Sequence, residues 1–207
     1  MYYTLVDSVR AEIDIKKSRF VAVVARADSS GAARTVVADA RKANSAAGHH
    51  CSAFLVGDVP GTRIARSSDD GEPSGTAGNP MLEVLTGHNL TNVVAVVTRF
   101  FGGTKLGTGG LTRAYSGAVA EALADARLNR RVQRDLIGVE LDHADVGRIE
   151  SELRGRGITV VSVDYRARAV LTLAVPDAEV VFGVLANLTS GTAEPALLGS
   201  EYIDEAV

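Results

Sequence analysis

Three carboxylates fall within four residues, Asp69, Asp70 and Glu72, inside the segment Arg66-Ser-Ser-Asp-Asp-Gly-Glu-Pro-Ser-Gly-Thr-Ala-Gly78. In an ordered loop such oxygens suit Mg²⁺, directly or through water, and one of them suits proton transfer. Read as metal ligands, the candidates are Asp69, Asp70 and Glu72. The spacing is not that of a twelve-residue calcium loop, because no Glu closes the frame after Gly71. Read for catalysis, the candidates are His49, Asp70, Glu72 and Ser74, with His49 as the base for a Ser74 or Ser67 hydroxyl. The competing reading is a solvated acidic turn whose aspartates cap nearby backbone N–H groups. No resident cofactor is expected, and Mg²⁺ is an ion the segment could take.

A second segment, Arg99-Phe-Phe-Gly-Gly-Thr-Lys-Leu-Gly-Thr-Gly-Gly-Leu-Thr-Arg113, is a Gly-rich turn running into a helix-forming sequence. Exposed backbone N–H groups at a helix start attract an anion, and flanking cations add charge-assisted contacts. The candidate anion or nucleic-acid ligands are Arg66, Arg99, Gly102, Gly103, Lys105 and Arg113. Neither the Walker A spacing nor the dinucleotide GxGxxG spacing is present. The competing reading gives the glycines to close helix–sheet packing alone. Phe100 or Phe101 would stack on a base wherever one is exposed. Cys51 opens an apolar run and reads as a buried small hydrophobe, while His88 and His143 read as surface or capping residues.

The chain of 207 residues suits one large domain or two small ones, and a hydrophobic fraction of 46% supports a core. Neither end offers a basic segment followed by a long apolar run, which predicts a soluble cytoplasmic protein without a membrane span. The single cysteine excludes an internal disulfide and fits a reducing compartment. The net charge of −3 divides unevenly. Residues 1–134 carry 17 Lys and Arg against 12 Asp and Glu, a net of +5, while residues 135–207 carry 5 against 13, a net of −8. A mildly basic first part suits a phosphate-rich partner.

The elements that must hold these segments read as α+β. Leu5–Ile15 and Phe20–Ala25 pattern as strands around a polar turn, and Ser29 or Ser30 caps a helix to Ala43. Cys51–Val56 and Thr62–Arg66 read as a hairpin around residues 57–61, and Thr76–Leu85 as a short helix interrupted near Pro80. Val93-Val-Ala-Val-Val97 predicts a central strand buried on both faces, and Leu111–Leu128 a helix with a small-residue face. The polar run Asn129–Asp135 reads as a boundary, giving domains over residues 1–131 and 135–207. The second reads β-α-β-β-α-β, the ferredoxin-like order.

The stretches His49-His-Cys51, Arg66 through Pro80 and Val97 through Tyr115 resemble the signatures of the IMPACT/YigZ family, over about residues 1–130. The acidic remainder resembles the C-terminal domain of bacterial YigZ-like members. The resemblance implies a first domain folded like the second domain of ribosomal protein S five and a ferredoxin-like second domain. Both folds are similar to adjacent domains of the ribosomal translocation factor. The implied function is a translation-associated regulatory or interaction protein, with RNA, the ribosome or a translation-associated protein as partner. The alternative is a metal-assisted hydrolase or phosphoryl-transfer enzyme. The family motif falls on His49, Cys51, Arg66, Ser67, Asp69, Asp70, Glu72, Ser74, Arg99, Gly102, Gly103, Lys105 and Arg113. Position 50 departs from it, with His50 where the family has Asn.

Overall fold

A computed structural model of the chain describes residues 1–59 and 61–207. Pro60, expected in a hairpin turn, lies outside the described residues. The protein is α+β and divides into two compact units, residues 1–131 with 204–207, and residues 132–203.

The first unit is built on an antiparallel sheet of order β2-β3-β6-β4-β5. Its strands are β2 (Val9–Ile15), β3 (Ser18–Arg26), β4 (His49–Val56), β5 (Ile64–Ser68) and β6 (Val93–Phe100). Alternate residues of β6 serve opposite faces, as a period of two requires. Val94 and Val96 pack with Ala33, Val36 and Val37 of α1 (Ser30–Ala43). Val93, Ala95 and Val97 pack with Met81 and Leu85 of α2 (Gly78–Gly87) and with Ala118 and Val119 of α3 (Thr108–Leu123). An apolar strand without a polar face therefore reads correctly as central, with helices covering both sides. Ser29 caps α1, its hydroxyl accepting from the Ala32 N–H at 3.0 Å.

Two features differ from the sequence expectation. Tyr2–Leu5 forms β1, paired antiparallel with Leu128–Arg131 at the start of β7 (Leu128–Leu141). The polar run from 129 to 135, inside which the division between the units falls, is thus also strand, and Arg130 and Arg131 have acidic partners. In the first unit Arg131 grips both oxygens of Asp58 at 2.9 Å and reaches Asp204 at 3.3 Å, while Arg130 pairs with Glu205 at 2.8 Å. A strand whose partners lie more than sixty residues away leaves no local signature. The excess of +5 is consequently a poor guide to where the surface is basic.

In the second unit the order is β7, α4 (His143–Gly155), β8 (Thr159–Tyr165), β9 (Ala169–Val175), α5 (Ala178–Leu188), β10 (Ala196–Ala206). β9 pairs antiparallel with β7 and with β8, and β10 pairs with β7. Ile137, Val139, Leu171 and Leu173 share one core with Val146, Ile149 and Leu153 of α4 and Val181 and Leu185 of α5. Both helices therefore cover the same sheet face. No helix among the described residues is long and apolar enough to cross a membrane.

Candidate functional site

Strand register brings the two polar segments together. β6 pairs with β4 so that Arg99 lies opposite His49, and with β3 so that Arg99 lies opposite Phe20. The loop after β5 then carries Glu72 to Arg99, whose Nη1 donates to Glu72 Oε1 at 2.7 Å. Tyr115 of α3 donates its hydroxyl to the same oxygen at 2.7 Å. The pair is interior: Arg99 is 5% exposed, and its guanidinium lies 5.4 Å from the Phe20 ring and 5.3 Å from the Phe101 ring. Burial raises the Tyr115 phenol far above its ordinary range, so it stays a donor. Burial likewise pushes the Cys51 thiol up to about 12, and it donates to the Asp69 carbonyl as a neutral group.

Above this pair opens a cavity of about 470 Å³, lined by His49, Glu72, Pro73 and Arg99 and by Phe101 and Lys105 through Thr108 and Leu111. Gly107 stands at the N-cap of α3 with φ 74°, no side chain caps the helix start, and the first turn holds no acidic residue. The N–H groups and dipole of that 16-residue helix are thus open to an anion beside Lys105. His49 turns Nδ1 to the Asp70 carbonyl at 2.9 Å and Nε2 toward Glu72 Oε1 at 4.0 Å.

The three neighbouring carboxylates do not converge. Asp69 accepts the N–H groups of Gly75 at 2.8 Å, Ala77 at 3.0 Å and Gly78 at 2.8 Å, serving the start of α2 that no side chain caps from Ala77. Asp70, at φ 44°, accepts from the His50 N–H at 2.7 Å and from Arg41. Glu72 belongs to Arg99 and Tyr115. Among the described residues no group of three or more His, Cys, Asp or Glu is placed to hold a metal ion. Adjacency in sequence suggested shared chemistry; the turn at Asp70 and Gly71 sends the side chains to separate partners. Of the candidate nucleophiles, Ser67 donates to Asn79 at 2.7 Å and Ser74 sits exposed on the loop.

Among the anion candidates, Lys105 and Arg99 line the cavity, whereas Arg66 is exposed on β5 and Arg113 is exposed on α3 outside the lining. Gly102 serves packing, since a Cβ there would lie 1.8 Å from the Lys17 carbonyl oxygen. Gly103 has φ 84° and open space around it. Tyr115 was legible only as part of an apolar helical face. The available signal was that a buried phenol requires an acceptor.

Asp69 yields a pH prediction. Burial favours its neutral form, but the N–H groups of Gly75, Gly78 and Ala77 outweigh that and hold the carboxyl below its ordinary value. A depressed folded pKa means the stabilisation is complete above the unfolded value, near 3.9, and disappears as pH falls through the lower folded one. Asp69→Asn is therefore expected to cost about 1.5–3 kcal/mol at pH 7. Urea denaturation of both proteins from pH 7 down to pH 2 should show the gap closing only below about pH 4. A gap independent of pH would reject this role.

Residues 16–123 match the Impact N-terminal domain, and residues 139–192 match a domain of unknown function (DUF1949). The chain is 40% identical over 164 residues to IMPACT family member YvyE of Bacillus subtilis (strain 168), covering 79% of this chain and 75% of that one. The chain belongs to the IMPACT family. The IMPACT family member YigZ of Escherichia coli (strain K12) is 38% identical over 167 residues, covering 81% of this chain and 82% of its own. A crystal structure described as that of a hypothetical protein superposes with a TM-score of 0.65 at 34% identity, over 94% of this chain and 95% of that one. Every residue of the IMPACT motif that lines the cavity comes from within the matched Impact N-terminal domain.

Proposed function

We propose that this IMPACT family chain acts in translation-associated regulation by binding RNA, free or in a ribonucleoprotein, through the cavity of its first unit. The observation that carries the reading is Lys105 beside the uncapped start of α3, at the mouth of a cavity that Phe101 also lines. That combination supplies a phosphate cradle and an aromatic surface, the two parts of a single-strand binding site. The analogy that the family resemblance implies, a first domain like the second domain of ribosomal protein S five and a ferredoxin-like second domain, supports the reading. The hydrolase alternative draws no support from the carboxylates, which go to separate partners.

The test is fluorescence anisotropy of the intact protein with single-stranded RNA at several salt concentrations. Affinity is expected to fall with salt, and Lys105→Ala to reduce the log–log slope by about 0.7, one phosphate's share on a single strand. Absence of binding at low salt by folded protein would reject the proposal. An unchanged slope in Lys105→Ala would remove this cavity as the phosphate site.

A further inference from the structure

Glu72 has an oxygen to spare. Oε1 takes the hydrogen bonds of both Arg99 and Tyr115, and Oε2 has no donor among the described residues. The side chain is only 4% exposed. Yet Oε2 is not among the side-chain atoms fully sealed from solvent without a partner, which are Arg99 Nε and Arg130 Nε. Its access to solvent is the cavity that Glu72 lines. A carboxylate oxygen open to the cavity is an acceptor for an N–H or O–H donor that enters it.

His49 supplies a second acceptor beside it. The Asp70 carbonyl can only accept, so His49 Nδ1 must donate across their 2.9 Å separation. In the neutral ring Nε2 is then a bare lone pair, 4.0 Å from Glu72 Oε1 and without a hydrogen bond. The cavity lining thus offers acceptors from two neighbouring side chains, Glu72 and His49, together with Lys105 and the start of α3. A cationic ligand is disfavoured, because Arg99 already neutralises Glu72. What complements the site is a flat group with two neighbouring neutral N–H donors, joined to a negative charge. The volume of about 470 Å³ lies in the small-ligand range.

Among the nucleobases only guanine offers that edge, with N1–H beside the N2 amino group. Adenine and cytosine set one amino group beside a ring-nitrogen acceptor, which would oppose a second acceptor. Uracil sets one N–H between two carbonyls. We propose that the cavity selects guanine, its N–H edge on Glu72 Oε2 and His49 Nε2, its ring against Phe101 and its phosphate at Lys105 and the α3 N-terminus. This deepens the RNA reading above and rests on its phosphate site. The same chemistry is carried by a free guanylate or by an unstacked guanosine in RNA.

Two titrations of the full chain separate these sources. One uses GMP, AMP, CMP and UMP by calorimetry; the other uses a heptamer of uridines with and without one central guanosine. GMP and the guanosine-bearing heptamer are expected to bind about 5- to 150-fold more tightly than their counterparts, the span of a paired base contact. Glu72→Gln, which puts an amide donor where the open acceptor stood, should abolish the preference. Because Glu72 also supports the fold, His49→Ala serves as the second variant and should reduce the preference with the thermal transition retained. Equal binding of both heptamers, with no preference among the mononucleotides, overturns guanine selection and leaves phosphate binding standing. Selective GMP binding without RNA binding at low salt supports guanine selection and overturns the RNA reading. No binding of any nucleotide or heptamer overturns both.

Discussion

Glu72→Ala is expected to lower folding stability by about 3–5 kcal/mol, the cost of breaking a buried ion pair from one side. The Arg99 guanidinium would remain in the interior with its charge uncompensated. Its Nε already lacks a partner, and its remaining side-chain hydrogen bond is to Ser18 Oγ at 3.4 Å. Tyr115, fully buried, would lose the acceptor of its hydroxyl as well. Total stabilities are about 5–15 kcal/mol, so this one change places the protein near its threshold.

The reverse experiment distinguishes charge from shape. In the Glu72→Ala background, Arg99→Met removes the orphaned cation and fills its channel between Phe20 and Phe101 with an unbranched apolar chain. Stability should then recover by about 2 kcal/mol or more, since apolar replacement of a whole buried pair is often close to neutral. Urea denaturation of the four members of this cycle reads the coupling directly. A single-variant loss under about 0.5 kcal/mol, the range of ordinary surface changes, would show that the pair does not support the fold. A pair that apolar residues could replace at little cost has its reason in the cavity it lines.

How much of this was legible depends on the distance over which each signal acts. The Ser29 cap and the apolar run of β6 are local, and both were readable from a few residues. That the two polar segments meet was also suggested, because acids, hydroxyls and glycines flank the most apolar strand. The internal wiring of the site was not. Asp69, Asp70 and Glu72 look like one cluster until the left-handed turn at Asp70 and Gly71 disperses them to Gly78, Arg41 and Arg99. The contact of His49 with Glu72 follows from a register that places His49 opposite Arg99, and only tertiary pairing fixes that register. Arg130 and Arg131 lie in the run read as a boundary, and the division between the units falls there, after residue 131. What their polarity did not show is that strand pairing and acids from distant positions hold them in order.

Gly102→Ala is expected to cost about 3 kcal/mol or more, beyond the usual overpacking penalty, because the obstacle is backbone. The added Cβ would lie 1.8 Å from the Lys17 carbonyl oxygen and 2.1 Å from its carbon. Lys17 cannot easily withdraw. It belongs to the two-residue turn joining β2 to β3, closed by the Ile15–Ser18 pair, with Lys16 at φ 47° and Lys17 at φ 67°. That geometry already holds two non-glycine residues in the left-handed region, as a type I′ hairpin requires. The Gly102 N–H also donates to Ser18 Oγ at 3.3 Å, so displacing the loop loses a hydrogen bond. Gly103 is the matched control: φ is 84° and nothing lies near its missing Cβ, so Gly103→Ala should cost only about 1–2 kcal/mol for the left-handed conformation. Gly102→Ala should therefore have the lower urea midpoint and the weaker RNA affinity, since the loop it displaces carries Phe101 and Lys105. Equal midpoints for the two variants would mean that the loop relaxes freely and that Gly102 does not set the position of the cavity wall.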